Sequence, residues 1–472
     1  MSVNFVIALC LALSPVSPPG QVTPAAVDAF VTRYQEATGL PGVAVAVTRG
    51  ERVVHAAGYG RTAAGEPVTA DTPMAVASVS KSFTSLAVMQ LVEQGRVELD
   101  RPVRGYLPEF AMADPRAAKI TVRQLLDQTS GMADSAFREK SLPQPGTLEG
   151  AVARLRTARL AAEPGTRYSY HNTNYQVAAR LVEVVSGRPF AGYLRERVFE
   201  PLGMRNSTTI DTDRDLPGSA RGHLMVLGRA VPAPEPAGFG NGSGGVLSTA
   251  ADMARWLIAQ QGGILSPGSV KEMRTPSRLN DSYALGWSLG RTGRGTPVLE
   301  HGGDLFTSTA HQLLMPGSGY GVAVMANTGM AFGDARALLD GLVALVEGGT
   351  PEVPPMSPTL VTDALFLLAG AGAGALAARG VARSRRWAAR RRGRQRWRLL
   401  PYLAPIALCA ALAPIFRVLA RGADIMWIQV AYLYPAFTLC LVITAIGCAV
   451  VVAARLVSAV RLRGRGNRDD RC

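Results

Sequence analysis

The stretch MAVASVSKSFTSLAVMQ, residues 74–90, sets a lysine three positions after a serine inside an otherwise apolar, helix-like run. The chain has only four lysines among 50 basic residues, so Lys81 stands out against a background of arginine. Arginine stays charged, whereas a desolvated lysine can lose its proton and serve as a base. A helix beginning near Ser78 puts Lys81 one turn on and on the same face. Beyond the pair, Phe83, Leu86, Ala87, Met89, Leu91 and Val92 make that helix apolar almost all round, hence buried, and Gly95 closes it. A serine at the N-terminus of a buried helix sits where free N–H groups and the helix dipole favour negative charge. It can attack a carbonyl while its own N–H helps hold the oxyanion. The same two residues also suit a helix cap and a lysine reaching solvent, and Ser-x-x-Lys alone does not choose between these readings.

Around this stretch the periodicity changes in blocks. Val27, Phe30, Val31 and Tyr34 recur at helical spacing, and GVAVAVTRGERVVHAAGYG (42–60) reads as two strands around a tight turn at 49–51. From Ser78 to about Leu265 the chain is mostly helical patches between Pro and Gly clusters. Strand-like runs follow: YALGWSLG (283–290), TPVLEHGG (296–303), STAHQLLMP (308–316) and YGVAVMANTG (320–329), then a helix in DARALLDGLVALVEG (334–348). Strands at both ends with helices between them predict an α+β fold. It has one antiparallel sheet built from the two ends, flanked by helices, with a helical subdomain alongside.

Two further motifs carry chemistry. EPGTRYSYHNTNY (163–175) holds Tyr170 and Asn172 one residue apart at the start of another helical run, and VLEHGGDLFTS (298–308) holds His301, Gly302 and Gly303 on a strand edge. His171, between Tyr170 and Asn172, reads as an outward-facing spacer. GNGSGG (240–245) reads as a flexible loop beside a cleft rather than a phosphate cradle. His55, His223 and His311 lack metal-ligand spacing and His-Glu-x-x-His does not occur, so neither a metal nor a cofactor is expected.

The order S-x-x-K, Y-x-N, H-x-G resembles the serine beta-lactamase and penicillin-binding protein superfamily, in its class C-like branch. That branch includes beta-lactamases, DD-peptidases, D-aminopeptidases and esterases. TVRQLLDQTSGM (121–132), FEPLGMRNS (199–207), GNGSGGVLSTAADMARWL (240–257) and YALGWSLG extend the resemblance over about residues 25–345. It implies Ser78 as the acylated nucleophile, Lys81 as its neutral base or proton relay, and Tyr170 as the second acid/base. It also implies Asn172 binding the acyl side chain and His301 orienting the Tyr170 hydroxyl or the substrate. Gly303 would let the substrate backbone lie along the strand, and the N–H of Asp304 would complete an oxyanion hole with that of Ser78. Many relatives carry lysine where this chain has His301. The exchange removes a fixed charge used to hold a substrate carboxylate and favours esters or D-amino-acid amides over penicillins.

The net charge of +15 looks at first like nucleic-acid binding. From Arg379 onward, however, there are 18 arginines against three acids, which leaves 32 basic and 32 acidic groups in the first 378 residues. The excess alternates with apolar stretches, the pattern of membrane topology, and a nucleic-acid partner is not expected. After the linker GTPEVPPMSP (349–358), residues 359–378, 399–416 and 425–454 are each near or above the ~18–20 residues that cross a bilayer. The basic segments 379–398 and 455–472 are expected to stay cytoplasmic, which places the hydrolase domain (25–348) outside. Residues 1–22 read as a signal peptide or signal anchor. None of the five cysteines falls between residues 11 and 408, so that domain cannot rest on disulfides.

This layout resembles the prodrug-activating D-aminoacyl peptidases of the colibactin-maturing type. The expected protein is a multi-pass enzyme of the bacterial cytoplasmic membrane, acting by an acyl-enzyme on a small-molecule or peptide substrate with a D-amino acid or ester. A cell-envelope esterase, DD-carboxypeptidase or beta-lactamase, and a beta-lactam-sensing receptor, are the alternatives. A homodimer stays open as its assembly.

Overall fold

The computed structural model describes residues 22–391, 396–420 and 422–469. Most of the proposed signal segment, 1–21, lies outside them. Six antiparallel strands form the main sheet in the order Arg52–Gly60, Gly42–Arg49, Tyr320–Ala326, Thr309–Met315, Pro297–Asp304, Ser288–Arg291. The first two strands therefore pair with the last ones, as the block order of the sequence implies.

Strand Gly42–Arg49 shows why the sheet is covered on both faces. Successive side chains of a strand point to opposite sides. Val43, Val45 and Val47 pack with the helices Pro24–Thr38 and Asp334–Val346, while Ala44 and Ala46 face the larger core on the other side. Alanine on that face lets the helix Ala250–Ala259 lie close to the strand. The larger core holds the helices Ser80–Glu93 and Asn172–Ser186, with Phe83 stacked on Trp256 at 3.8 Å.

The helix after Ser78 starts later than its sequence predicts. Residues Ala77–Val79 form a 3-10 turn and the α-helix runs over Ser80–Glu93. Ala77 takes a left-handed φ of 47°, which breaks helical geometry just before the serine. Such a conformation costs a non-glycine residue of order 1–3 kcal/mol and persists only where its surroundings impose it. YALGWSLG is strand only in its last part, from Ser288. GNGSGG is not a free loop: a Cβ on Gly242, whose φ is 78°, would stand 2.5 Å from the Ala179 Cβ, and the Gly242 carbonyl accepts from Thr84 at 2.6 Å. Its glycines serve close packing rather than mobility.

Three C-terminal helices are long and apolar enough to cross a membrane: Leu360–Ala382, Trp397–Leu419 and Pro435–Leu462. The stretch 425–454 is thus not one span. A short helix, Trp427–Leu433, precedes Pro435, and proline starts the long helix where its missing N–H has no partner to lose. Gly370 packs against the backbone of Cys440, the close approach that small residues allow between membrane helices.

The first and third of these helices, and the connection before the third, touch the hydrolase domain. Asp363 accepts from the Leu227 N–H at 2.9 Å. Asp424 accepts from the Ser141 N–H at 2.8 Å and from its hydroxyl, and the Asp424 N–H donates to Asp134 at 3.0 Å. Phe306 and Tyr432 meet edge to face at 6.3 Å.

Candidate active site

The 3-10 turn of Ser78, the N-terminus of the helix Asn172–Ser186, the loop 240–245 and the edge of strand Pro297–Asp304 converge on one cleft of about 530 Å³. Ser78, Tyr170, Asn172, His301 and Asp304 line it, while Lys81 lies beneath it with no exposed surface.

Lys81 Nζ stands 2.9 Å from Ser78 Oγ, 2.9 Å from Asn172 Oδ1 and 2.8 Å from the Ser243 carbonyl oxygen. The carbonyl and the amide oxygen only accept, so two N–H bonds of the amine are committed to them. The third direction faces a hydroxyl that can also donate. A neutral amine fills these roles completely: two hydrogens for two acceptors, and a lone pair for the Ser78 proton. Burial lowers the Lys81 pKa from 10.5 to about 7; the nearby Glu139 carboxylate opposes this and the Lys140 charge adds to it. By free-energy equivalence that change is worth roughly 5 kcal/mol. No such neutral state is accessible to arginine.

The Tyr170 phenol lies close enough to Ser78 to feel its hydroxyl, and its ring lies 4.8 Å from Lys81 Nζ. Tyr170 faces the cleft with 41% of its surface exposed, with Tyr168 and Tyr175 nearby and the Tyr283 ring edge-on at 6.2 Å. Desolvation raises the phenol above its ordinary value, against the lowering influence of the Ser78 hydroxyl, so the group keeps its proton.

His301 is buried and its pKa falls to about 3, through desolvation first and the Lys81 charge second. Its Nδ1 lies 2.7 Å from the Gly302 carbonyl, which only accepts, so the neutral ring carries its proton there and Nε2 faces the Tyr283 hydroxyl at 3.2 Å. The ring contacts Tyr170 at 6.4 Å between centroids. The nitrogen expected to orient the Tyr170 hydroxyl is therefore bonded to Tyr283.

Gly303 has a specific steric reason. A Cβ there would stand 2.2 Å from the Val76 carbonyl oxygen and 3.0 Å from the Ser78 nitrogen. Its lack of a side chain brings the strand edge against the serine turn, with Asp304 next in line.

His171 differs from its expected outward position: only 1% of it is exposed. Its Nε2 lies 3.1 Å from the Phe137 carbonyl oxygen and 3.3 Å from Asp134, and its N–H donates to Gln128 at 3.0 Å. It ties Tyr170 and Asn172 to segment 128–137, the segment Asp424 also holds.

Sequence reasoning missed Ser243, Tyr283, Glu139, Lys140, Glu235 and Gln429, which join or border the site. Glu235, on the cleft wall, accepts from the N–H groups of Phe306 and Thr307 at 2.8 and 2.9 Å and from the Thr307 hydroxyl at 2.7 Å. Tyr283 lies in a quoted stretch that its neighbours made look like plain strand. Gln429 sits more than 120 residues from any other lining residue except Met330, so no local signal could reveal it.

The Beta-lactamase family model matches residues 27–345. Penicillin-binding protein 4 of Amycolatopsis lactamdurans is 32% identical over 363 residues, covering 70% of this chain and 92% of the relative. The octameric penicillin-binding protein homologue from Pyrococcus abyssi superposes with a TM-score of 0.58 at 27% identity, over 73% of this chain and 81% of that one. The D-amino acid amidase from Ochrobactrum anthropi SV3, solved with D-phenylalanine, superposes with a TM-score of 0.56 at 25% identity, over 69% and 97%. With a family match over more than half its length, the chain belongs to the beta-lactamase and penicillin-binding protein family of serine hydrolases.

Proposed function

We propose that this serine hydrolase is anchored in the bacterial cytoplasmic membrane with its catalytic domain outside. There it cleaves D-amino-acid amides through an acyl-enzyme, and release of a secreted natural product from a D-aminoacyl cap is the role that fits. The observation that carries the chemistry is the 2.9 Å contact between a fully buried Lys81 amine and Ser78 Oγ. In this reading Ser78 Oγ attacks the substrate carbonyl as its proton passes to Lys81. The N–H groups of Ser78 and Asp304 hold the oxyanion, and Asn172 Nδ2 meets the acyl side. As the C–N bond breaks, Tyr170 gives its proton to the leaving nitrogen, and the proton that Lys81 took from Ser78 restores the tyrosine. Water then repeats the sequence on the ester.

The preference for D-amides draws on His301, which is neutral where a fixed cation would favour a substrate carboxylate, and on the D-amino acid amidase of the same fold. The similarity to penicillin-binding protein 4 favours a second reading, a cell-envelope peptidase acylated by penicillins. Anchoring rests on the three apolar helices and on arginine clustered between and after them.

Turnover of paired N-acyl-D- and N-acyl-L-amino-acid amides by the full-length protein in membranes tests the proposal. Cleavage of the D member alone, lost in Ser78→Ala, is expected. Stable labelling by a fluorescent penicillin with neither amide cleaved would favour the second reading.

A further inference from the structure

Among the described residues lining the cleft, Lys140 is the one lysine or arginine. It is half-buried and forms no ion pair with any described residue. Its charge lowers the pKa of the buried Lys81 amine. Its backbone is fixed from both sides: Gln144 donates to the Lys140 carbonyl at 3.2 Å, and Asp424 accepts from the N–H of the next residue, Ser141. The neighbouring Glu139 carboxylate accepts from the hydroxyl of Thr173, which follows Asn172 in the chain, so the backbone that carries Lys140 runs along the side of the cleft that Asn172 borders.

The acids sharing the cleft are largely occupied. Glu235 takes the Phe306 and Thr307 donors, Asp213 takes the Gly238 N–H at 2.6 Å, and Glu139 takes the Thr173 hydroxyl. Burial raises the Asp304 carboxyl toward its neutral form. With His301 neutral as well, Lys140 is, among the described lining residues, the cation without an ion-pair partner.

Resting on the hydrolase reading above, we infer that Lys140 is a specificity-determining residue that binds a carboxylate on the acyl half of the substrate, beyond Asn172. An ammonium on a flexible stem suits a single oxyanion at variable reach. The inference moves the anionic recognition of this site from the leaving side, where relatives carry lysine in place of His301, to the acyl side.

The test uses two amides with the same leaving group, N-acyl-D-aspartate and its isosteric N-acyl-D-asparagine, cleaved by the full-length protein. The ratio of their kcat/KM values is the readout. Removing the Lys140 charge also raises the Lys81 pKa, and both substrates feel that effect equally, so the ratio cancels it. In Lys140→Gln the aspartate/asparagine ratio is expected to fall at least tenfold, and in Lys140→Arg to recover most of the wild-type value. A ratio unchanged in Lys140→Gln overturns the inference while leaving the hydrolase reading intact. Wild-type protein that cleaves neither amide and is not labelled at Ser78 by a fluorophosphonate overturns both. Binding of the two free N-acyl-amino acids to Ser78→Ala, followed by calorimetry, gives a readout independent of turnover. There Lys140→Gln should weaken the dicarboxylate product at least tenfold relative to the asparagine product, and equal weakening of both contradicts the assignment.

Discussion

Lys81 Nζ and Ser78 Oγ lie 2.9 Å apart, and the other two partners of that amine, Asn172 Oδ1 and the Ser243 carbonyl, can only accept. The third direction faces Ser78, where the ammonium donates to Oγ and the neutral amine can receive the serine proton. Lys81→Arg keeps the charge and removes the neutral state. It is therefore expected to lower acylation by at least about a thousandfold, as Ser78→Ala does, with circular dichroism unchanged. Activity surviving in Lys81→Arg would exclude a neutral lysine.

The acid limb of the pH profile follows from the same amine. Lys81 is lowered to about 7, so below that pH it carries a proton it cannot exchange for that of Ser78. The kcat/KM is expected to rise with pH up to about 7, falling roughly tenfold for each pH unit below it, and then level off. Tyr170, raised by burial, keeps its proton through the neutral range and adds no descending limb there.

Tyr170→Phe removes the proton donor but leaves the Lys81 contact with Ser78 in place. Stopped-flow measurement should show turnover falling about 10²–10⁴-fold with initial acylation by an activated ester, whose leaving group needs no proton, less affected. Equal loss with amide and activated ester would assign Tyr170 to the first step.

Gly303→Ala sets a Cβ 2.2 Å from the Val76 carbonyl oxygen, a backbone atom that cannot move without carrying Ser78 with it. Both activity and thermal stability are expected to drop, by an amount typical of overpacking, about 1–3 kcal/mol. Thermal unfolding alongside fluorophosphonate labelling measures the two.

Asp424→Ala should loosen the cleft where the C-terminal helices meet it. Its carboxylate holds Ser141 and its N–H meets Asp134, which lies 3.3 Å from His171. The expected result is a KM for amide substrates raised severalfold in full-length protein, with kcat changed less. An unchanged KM would show that the contact leaves the cleft unaltered.

Much of the fold was legible because it rests on local periodicity. The alternation in GVAVAVTR marks a strand buried on both faces, and the apolar run after Lys81 marks a helix buried all round. What escaped depends on distant chain. The helix begins at Ser80 because Ala77 is held at φ 47° in a turn pressed by Gly303, some 225 residues away in sequence. His171 is buried because Phe137, Asp134 and Gln128 close over it, and nothing in YHN announces those neighbours. Glycines in GNGSGG read as flexibility, but their missing side chains make room for Ala179. The residues recognised from motifs are those whose spacing is fixed within one turn, as in Ser78 and Lys81. Lys140, Tyr283 and Gln429 reach the cleft by packing alone.

Mass spectrometry of the full-length protein after brief incubation with a fluorophosphonate, across pH 5–9, tests the central claim most directly. The expected result is one adduct mapped to Ser78, forming faster as the pH rises through about 7 and absent from Ser78→Ala and Lys81→Arg. An adduct on another residue, or labelling of Ser78 at the same rate in Lys81→Arg, would contradict it.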